Sequence, residues 1–395
     1  MDLRLAERMA LLGTETAFEV LARAKALERQ GRHIVHLEVG EPDFDTPENV
    51  KDAAIQALRS GYTHYTPTAG LWEAREAVAE YVSRTRGITV TPDQVVLTAG
   101  GKPIMFFTIL ALVEPGDEVI LPDPGYPIYD SMVRFAGGTV RPLVLREEND
   151  FRVDPGEFRR LVSPRTKLVI VNSPHNPCGS VLSQEDLVAI GDALVGTTAW
   201  VLSDEIYSRI TYDGGAPSIA SLPGMAERTI ILDGFSKAYA MTGWRLGYGV
   251  APVPMAERLT QLATNATSNA AAFTQIAGAA ALRGPQDSVD RMVAEFRRRR
   301  DLIVEGLNAI PGITCRTPRG AFYVFPNVSK VDPESPRFAA FLLNEMGVAA
   351  LSGTAFGAHG QGYLRLSYAN SIPNIQEALR RIGEGVARHR AAARV

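Results

Sequence analysis

Short β-rich runs alternate with helical runs over residues 95–250, and this pattern limits the possible folds of the chain. Because two parallel strands need a long crossover between them, usually a helix, the pattern predicts an α/β fold. We expect a mostly parallel seven-stranded sheet between helices, with ligands at the carboxyl ends of its strands. Strands are predicted at 95–98, 117–121, 139–145, 167–172, 199–203, 228–232 and 245–250. Helices are predicted at 102–113, 126–135, 155–162 and 183–195.

The residues flanking this region predict a second, smaller α+β domain, and a length of 395 residues favours two domains. Helices are expected in this smaller domain at 15–30, 286–309 and 374–388, and two more, at 48–59 and 70–85, are expected before the strand-rich region. Short strands are expected at 33–39, 313–316, 321–325, 347–351 and 363–367. We therefore expect a large domain over 45–285 and a small domain formed by 1–44 and 286–395. The helix at 286–309 would connect the two.

Composition argues against several classes of protein. A net charge of −3 gives no sign of nucleic-acid or anionic-membrane binding, and the basic run at 297–300 is typical of a solvated helix face. No segment approaches the roughly 18 uninterrupted apolar residues of a membrane span. Only Cys178 and Cys315 are present and no apolar leader is seen, so we expect a cytoplasmic protein. The histidines show no metal-ligand spacing, so no metal site is expected.

The stretch 233–249, DGFSKAYAMTGWRLGYG, carries the clearest chemistry. Lys237 lies between apolar runs, where burial would lower the pKa of its amine and leave it neutral, as a Schiff base with a carbonyl requires. Arg245 follows in the same stretch, and its planar guanidinium suits a phosphate. A phosphorylated aldehyde bound by a lysine indicates pyridoxal 5′-phosphate (PLP). A surface turn with a solvated lysine is the alternative that this stretch alone leaves open.

Polar residues follow three of the predicted strands. Gly101 and Lys102, in TAGGKP, open a helix whose N-terminal amides would bind an anion. Asn176, in NSPHNPCG, offers an amide to a phenolate oxygen. Asp204 ends an apolar strand, where a carboxylate needs a partner such as a protonated pyridine nitrogen, and Tyr207 lies close behind it. Structural alternatives remain open for each: an ordinary helix start for Gly101 and Lys102, an ordinary turn for Asn176, and a helix N-cap for Asp204.

Two further residues are candidates for contacts with a ring and a carboxylate. Tyr126 follows the turn PDPG and would either stack on a cofactor or pack in the core. Arg365 lies among apolar neighbours in YLRLSY and needs an anion. That anion would be a substrate carboxylate or a structural Asp or Glu.

Together these motifs resemble the PLP-dependent aminotransferases of fold type I, class I/II, and within them the bacterial aspartate and aromatic aminotransferase branch. The resemblance covers nearly the whole chain through LEVGEPDFDTP, YTPTAG, TAGGK, NSPHNPCG, SDEIY, SKAYAMTGWRLGY, RGAFYVF and YLRLSYANS. It implies transfer of an amino group from an L-amino acid, such as aspartate or an aromatic amino acid, to a 2-oxo acid, with 2-oxoglutarate the expected acceptor. The implied route is a ping-pong mechanism through a Schiff base on Lys237.

The resemblance implies a role for each residue around the cofactor ring. Lys237 would form the Schiff base and move the proton, and Asp204 would pair with the pyridine nitrogen. Asn176 and Tyr207 would hydrogen-bond the ring oxygen O3′. Tyr126 would stack on the ring.

The resemblance assigns the phosphate to Arg245, to the amides of Gly101 and Lys102, and to Ser236. It also implies that Tyr65 reaches the phosphate of a neighbouring subunit, which would make the active unit a homodimer. One departure is Gly234, where many members have a serine on the phosphate.

The resemblance assigns the substrate α-carboxylate to Arg365, with the backbone of Gly40 beside that carboxylate. Asn176 is also expected to bind the substrate. Phe18 is a candidate to line the side-chain pocket, where it would suit apolar or aromatic groups. A second departure, Cys178 in place of the commoner threonine of NPTG, is expected to have little effect.

Two other functions remain open at this point. A PLP-dependent lyase, or a synthase that replaces a γ-substituent or forms a C–C bond, would share the same motifs, and released ammonia would reveal it. A non-catalytic PLP-sensing module of a transcription regulator would need a DNA-binding domain, and no basic helix-turn-helix is expected before the family motifs.

Overall fold

The structure, a computed structural model, describes residues 4–392. Its strands are β1 (Val35–His36), β2 (Val95–Thr98), β3 (Glu118–Asp123), β4 (Thr139–Val144), β5 (Thr166–Asn172), β6 (Trp200–Asp204), β7 (Thr229–Gly234), β8 (Gly247–Val250), β9 (Tyr323–Val324), β10 (Val348–Ala349), β11 (Leu351–Ser352) and β12 (Leu364–Ser367). Its α-helices are α1 (Thr16–Arg29), α2 (Glu48–Arg59), α3 (Trp72–Arg86), α4 (Lys102–Leu112), α5 (Pro127–Phe135), α6 (Pro155–Leu161), α7 (Gln184–Ala193), α8 (Val253–Ala266), α9 (Ala272–Arg283), α10 (Asp287–Asn308), α11 (Ser335–Phe341) and α12 (Ile372–Ala392).

The central element is a sheet with the strand order β2-β8-β7-β6-β5-β3-β4. Its strands pair in parallel except β8, which runs antiparallel to both β2 and β7. Strands such as β3, β6 and β7 are buried along almost their whole length, because helices cover both faces and the strands are rich in Val, Ile and Leu. The predicted α/β fold with a mostly parallel seven-stranded sheet is confirmed.

The register of the sheet brings the predicted polar residues to one edge. Asn172 at the end of β5 pairs with Asp204 at the end of β6, and Asp204 pairs in turn with Leu232 near the end of β7. Parallel strands end at the same edge of a sheet, so these carboxyl ends and the loop after β7 face one space. That loop contains Lys237.

Two smaller sheets lie outside the central one: β1 pairs in parallel with β10, and β11, β12 and β9 form an antiparallel sheet. Phe296 of α10, Phe322 and Phe338 of α11 are fully buried in the adjoining core. The prediction of a strand at 313–316 was wrong, since only an isolated bridge joins Thr314 to Asn327. The side chain of Asn308 bonds both backbone groups of Cys315, which removes them from any strand pairing.

The other differences from the predicted elements are shorter strands. The strand expected at 33–39 is reduced to β1, and the one expected at 347–351 is divided into β10 and β11. The strand expected at 245–250 begins only at Gly247, because Arg245 has a left-handed backbone with φ 52° and closes the preceding turn. Within residues 4–392, no helix is both long and apolar enough to cross a membrane.

Candidate active site

A cavity of about 550 Å³ opens at the carboxyl ends of β5, β6 and β7. Twelve of the predicted site residues line it: Phe18, Gly40, Gly101, Lys102, Tyr126, Asn176, Asp204, Tyr207, Ser236, Lys237, Arg245 and Arg365. The structure therefore brings together residues from almost the whole length of the chain. Tyr65 does not line the cavity, and its side chain is 90% exposed.

Lys237 projects into this cavity from the turn that follows β7. Its Nζ donates a hydrogen bond to the carbonyl oxygen of Gly40 at 2.5 Å. Burial lowers the pKa of the amine to about 8, although the nearby carboxylate of Glu41 opposes the shift. A substantial fraction of the amine is therefore neutral near pH 8, which is the form that attacks a carbonyl.

Asp204 is a buried carboxylate that lacks a cationic partner. Its Oδ2 accepts a hydrogen bond from the Tyr129 hydroxyl at 2.5 Å, and its Oδ1 accepts one from the backbone N–H of Ile206 at 3.2 Å. No Lys, Arg or His within residues 4–392 forms a salt bridge with it. Burial raises the pKa of the carboxyl group to about 6. A cation bound in the cavity, such as the protonated nitrogen of PLP, would provide the missing partner.

Asn176 is positioned by the strand ends on which the cavity is built. The side chain of Asn172 accepts a hydrogen bond from the backbone N–H of Asn176 at 2.9 Å and donates one to the carbonyl of Asp204 at 3.1 Å. Because Asn172 and Asp204 are paired in the sheet, the turn that carries Asn176 is fixed relative to the Asp204 carboxylate.

Tyr207 contacts a residue of the small sheet across the cavity. Its hydroxyl lies 2.7 Å from the hydroxyl of Tyr323, and both rings are buried. The position of Tyr323 also explains why residue 40 is a glycine, because a Cβ on Gly40 would lie 2.0 Å from the Tyr323 hydroxyl oxygen. Any larger residue at position 40 would have to displace Tyr323.

Arg365 is 4% exposed and forms no ion pair with a carboxylate in the described part of the chain. Its Nη2 donates to the carbonyl of Glu38, its Nη1 donates to Oδ1 of Asn176 at 3.4 Å, and its Nε has no partner among residues 4–392. Burial lowers the pKa of the guanidinium. The structural Asp or Glu considered above is therefore missing, and an incoming carboxylate would satisfy the free N–H group.

The start of α4 and the turn before β8 form a concave surface suited to an anion. Gly100 has φ +89°, and a Cβ there would lie 2.2 Å from Nη2 of Arg245. A Cβ on Gly247 would lie 2.4 Å from the backbone nitrogen of Gly101. The glycines thus let the guanidinium and the first amides of α4 converge, as phosphate binding requires. Gly234 is equally constrained, because a Cβ there would lie 2.9 Å from Cα of Gly247.

The side chain of Lys102 takes part in a contact that the sequence did not predict. Its Nζ donates to Oε1 of Glu15, and the Tyr126 hydroxyl donates to the same oxygen at 2.7 Å. Glu15 lies just before α1 and lines the cavity together with Phe18, whose ring is 58% exposed. The N-terminal segment therefore forms part of the cavity wall.

Of the cavity residues that sequence reasoning missed, three contact predicted site residues directly and differ in how far they could have been found. Asn172 ends β5 and could have been found by the strand-end rule that identified Asp204. Tyr129 lies on α5, three residues after Tyr126, which is the N-cap of that helix, so helical spacing brings the two side chains close together. Glu15 gave no signal, because its partners are about 90 to 110 positions away in the chain.

Comparison with known proteins agrees with this geometry. Residues 32–382 match the family model for aminotransferase class I and II. The chain is 41% identical to the aspartate aminotransferase of Pyrococcus horikoshii over 96% of both proteins. It is also 41% identical to the aspartate/prephenate aminotransferase of Thermus thermophilus over 97% of this chain and 99% of that protein. The structure of aspartate aminotransferase from Thermus thermophilus with maleate superposes with a TM-score of 0.94 at 40% identity, covering 97% of this chain and all of the other.

The chain belongs to the class I and II aminotransferase family. It is a PLP-dependent aminotransferase of fold type I, which confirms the predicted family, enzyme class and cofactor. The unpaired Asp204, the glycine-lined start of α4 and the partly neutral Lys237 fit that cofactor.

Proposed function

We propose that this enzyme transfers the amino group of an L-amino acid to a 2-oxo acid, with PLP held by Lys237. One observation carries the assignment: a partly neutral lysine, a carboxylate without a cation and an arginine without an anion line the same cavity. Each is unfavourable in a buried site without ligands, and each matches one group of PLP or of an amino acid.

When bound, PLP supplies an aldehyde that captures amino groups and a ring that withdraws electrons from the substrate Cα. Asp204 would keep the ring nitrogen protonated, while Asn176 and Tyr207 would donate to the ring oxygen and Tyr126 would stack on the ring. Lys237 Nζ would take the proton from the substrate Cα and deliver it to the carbon of the former aldehyde, as transfer of the amino group requires.

The remaining residues would bind the charged ends of the ligands. Arg245, Ser236 and the amides of Gly101 and Lys102 would hold the phosphate. Arg365 would bind the substrate α-carboxylate through a bidentate pair.

The substrates that we propose follow from the relatives. The similar proteins of Pyrococcus horikoshii and Thermus thermophilus are named for aspartate and for aspartate or prephenate. We therefore propose aspartate or an aromatic amino acid as donor and 2-oxoglutarate as acceptor. Gly40, Asn176, Arg365 and Phe18 line the cavity where such a substrate would lie.

We also propose a cytoplasmic homodimer. Tyr65 is almost fully exposed and outside its own cavity, which suits a residue that reaches the site of a partner subunit.

We propose two domains, a large one over 45–285 and a small one formed by 1–44 together with 286–395. Their support is that residues from the N-terminal segment and from β9 to α12 share a core with α10.

The proposal is tested by absorbance spectra of the PLP-loaded protein before and after addition of single amino acids without a 2-oxo acid. We expect the visible band of the lysine-bound cofactor to disappear as the pyridoxamine band grows, and initial-rate plots with both substrates to be parallel. Intersecting lines would contradict the ping-pong order. An unchanged band with released ammonia would favour the lyase alternative.

A further inference from the structure

The cavity is lined by four cationic side chains in the described part of the chain: Lys102, Lys237, Arg245 and Arg365. Lys102 alone of these four forms an ion pair within residues 4–392. Its side chain is 51% exposed, so a ligand in the cavity can reach it. The other three have been assigned to the aldehyde, the phosphate and the α-carboxylate, which leaves Lys102 as the cation for the far end of a substrate.

Glu15 holds this cation from the opposite wall. One oxygen of its carboxylate accepts hydrogen bonds from both Lys102 and Tyr126, and the side chain is 17% exposed. The preceding backbone is fixed because the N–H of Gly13 donates to Oγ of Ser131 at 2.8 Å. The carboxylate is therefore a fixed part of the wall.

The charge of Glu15 also acts on the groups that bind the reacting end of the substrate. It raises the pKa of Lys237 and of Arg365, against the larger lowering effect of burial. A second carboxylate on a substrate would thus approach an existing negative charge and compete with it for Lys102. An uncharged side chain would meet Phe18 and the Tyr126 ring without this competition.

We propose that Glu15 is a specificity-determining residue that disfavours substrates with a distal carboxylate by keeping Lys102 in an internal ion pair. The proposal rests on the function proposed above, since it takes Arg365 as the α-carboxylate site. Aromatic and apolar amino acids are then the preferred donors. Dicarboxylates, including 2-oxoglutarate, bind only as they displace Glu15 from Lys102.

The test compares Glu15→Gln with wild type in single-turnover half-reactions with aspartate and with phenylalanine. Glu19→Gln is the matched control, because Glu19 lies on the same segment, bonds Thr14 and does not line the cavity. We expect the ratio of kcat/KM for aspartate to that for phenylalanine to rise about fivefold in Glu15→Gln, the effect of one partly exposed charge pair, and to stay unchanged in Glu19→Gln. Glu15→Ser serves as a second variant should Glu15→Gln fold poorly.

A double variant identifies the cation. Glu15→Gln with Lys102→Gln should lose the gain for aspartate, because the free ammonium is responsible for it. Equal changes for aspartate and phenylalanine, or a gain that survives loss of Lys102, would overturn the proposal.

A binding measurement separates this proposal from the proposed function. Dissociation constants of succinate and 3-phenylpropionate can be measured with the PLP-loaded protein from its absorbance, without turnover. We expect succinate alone to bind about fivefold more tightly to Glu15→Gln. If the wild type converts no amino acid, the proposed function fails while the succinate result still judges Glu15. If the wild type is active but Glu15→Gln changes neither the kcat/KM ratio of aspartate to phenylalanine nor the dissociation constant of succinate, only the role of Glu15 is refuted.

Discussion

Two neighbouring residues, Asp204 and Glu205, belong to buried clusters that differ in how their charges are satisfied. Glu205 joins the Arg86 cluster, defined as Arg86, Glu205 and Asp233, in which the guanidinium bonds the two carboxylates at 2.8 and 2.6 Å. Hydroxyl groups of Ser218 and Tyr248 donate to the same carboxylates. Burial alone would lower the pKa of Arg86, but the two carboxylates raise it well above its ordinary value.

The cavity cluster, defined as Asp204, Lys237 and Arg365, shows the opposite state. None of its three charges forms an ion pair within residues 4–392, and burial moves each pKa toward the neutral form. The comparison teaches that burial of charge does not by itself mark a functional site. A structural cluster satisfies its charges internally, whereas a binding site leaves them for a ligand.

The largest expected effect is on activity. Lys237→Ala should lower the transamination rate by about 10²- to 10⁴-fold, because the group that moves the proton is lost. The thermal stability of the cofactor-free protein should change little, since loss of the hydrogen bond to Gly40 is offset by removal of a buried amine that forms no ion pair in the described part of the chain. Steady-state kinetics and thermal unfolding check both results, with the exposed Lys330→Ala as control. Retention of more than about a tenth of the rate would contradict the role of Lys237.

Replacing Arg86 should lower the stability of the protein more than any other single substitution in the Arg86 cluster. Arg86→Ala leaves two buried carboxylates without a partner, so we expect the free energy of unfolding to fall by about 3–5 kcal/mol. Urea unfolding measures this change, and Arg84→Ala, an exposed arginine of the same helix, should cost about 0.5 kcal/mol or less. Equal effects of the two variants would show that the cluster is not structural.

Measuring stability over a range of pH tests whether the pKa of the cavity carboxylate, Asp204, is raised. The pKa of Asp204 is raised from 3.8 to about 6, so the folded state binds the proton more tightly than the unfolded state. Relative to Asp204→Asn, the cofactor-free wild type should therefore lose about 3 kcal/mol of stability in total as pH rises from below 3.8 through about 6, with most of the loss between about pH 4 and 6 and none beyond about pH 7. Urea unfolding over this range checks the sign, and parallel curves for the two proteins would contradict it.

The smallest effect is expected in a partly exposed network that links α1 to the cavity. His36 bonds Glu38 at 2.7 Å and Glu28 at 3.0 Å, and the hydrogen bond to Glu38 is the main cause of its raised pKa. This contribution is fully present below pH 6.5 and is lost as pH rises through the raised pKa of the folded state. The melting temperature of His36→Gln should thus lie below wild type at pH 6 and approach it at pH 9. A difference that is constant with pH, or a similar one for the exposed His64→Gln, would contradict this account.

Much of the fold could be predicted because its signals are local. Seven strands of the central sheet lie within a few residues of their predicted positions, since each is a short apolar run bounded by turn residues. The small strands were less predictable, because pairing at 313–316 depends on whether Asn308 captures the backbone of Cys315. Whether Cys315 bonds a neighbouring strand or the Asn308 side chain depends on how α10 packs, which a local pattern of apolar residues does not reveal.

The same distinction applies to the site. Asp204 and Lys237 were predictable from polar residues at the ends of apolar strands, a pattern visible within a few positions. The partners that set their chemistry were not, since Tyr129 is 75 positions from Asp204 and Gly40 is 197 from Lys237. Such partners follow only from the strand order of the folded sheet.

The central claim is that the unpaired groups of the cavity are completed by PLP on one lysine. It is tested most directly by adding PLP to the cofactor-free protein, reducing with borohydride and mapping the modified peptide by mass spectrometry. The account predicts a single pyridoxyl group on Lys237 in the wild type and none at that position in Lys237→Ala. A label on Lys102, a label spread over exposed lysines, or no stable label would contradict it.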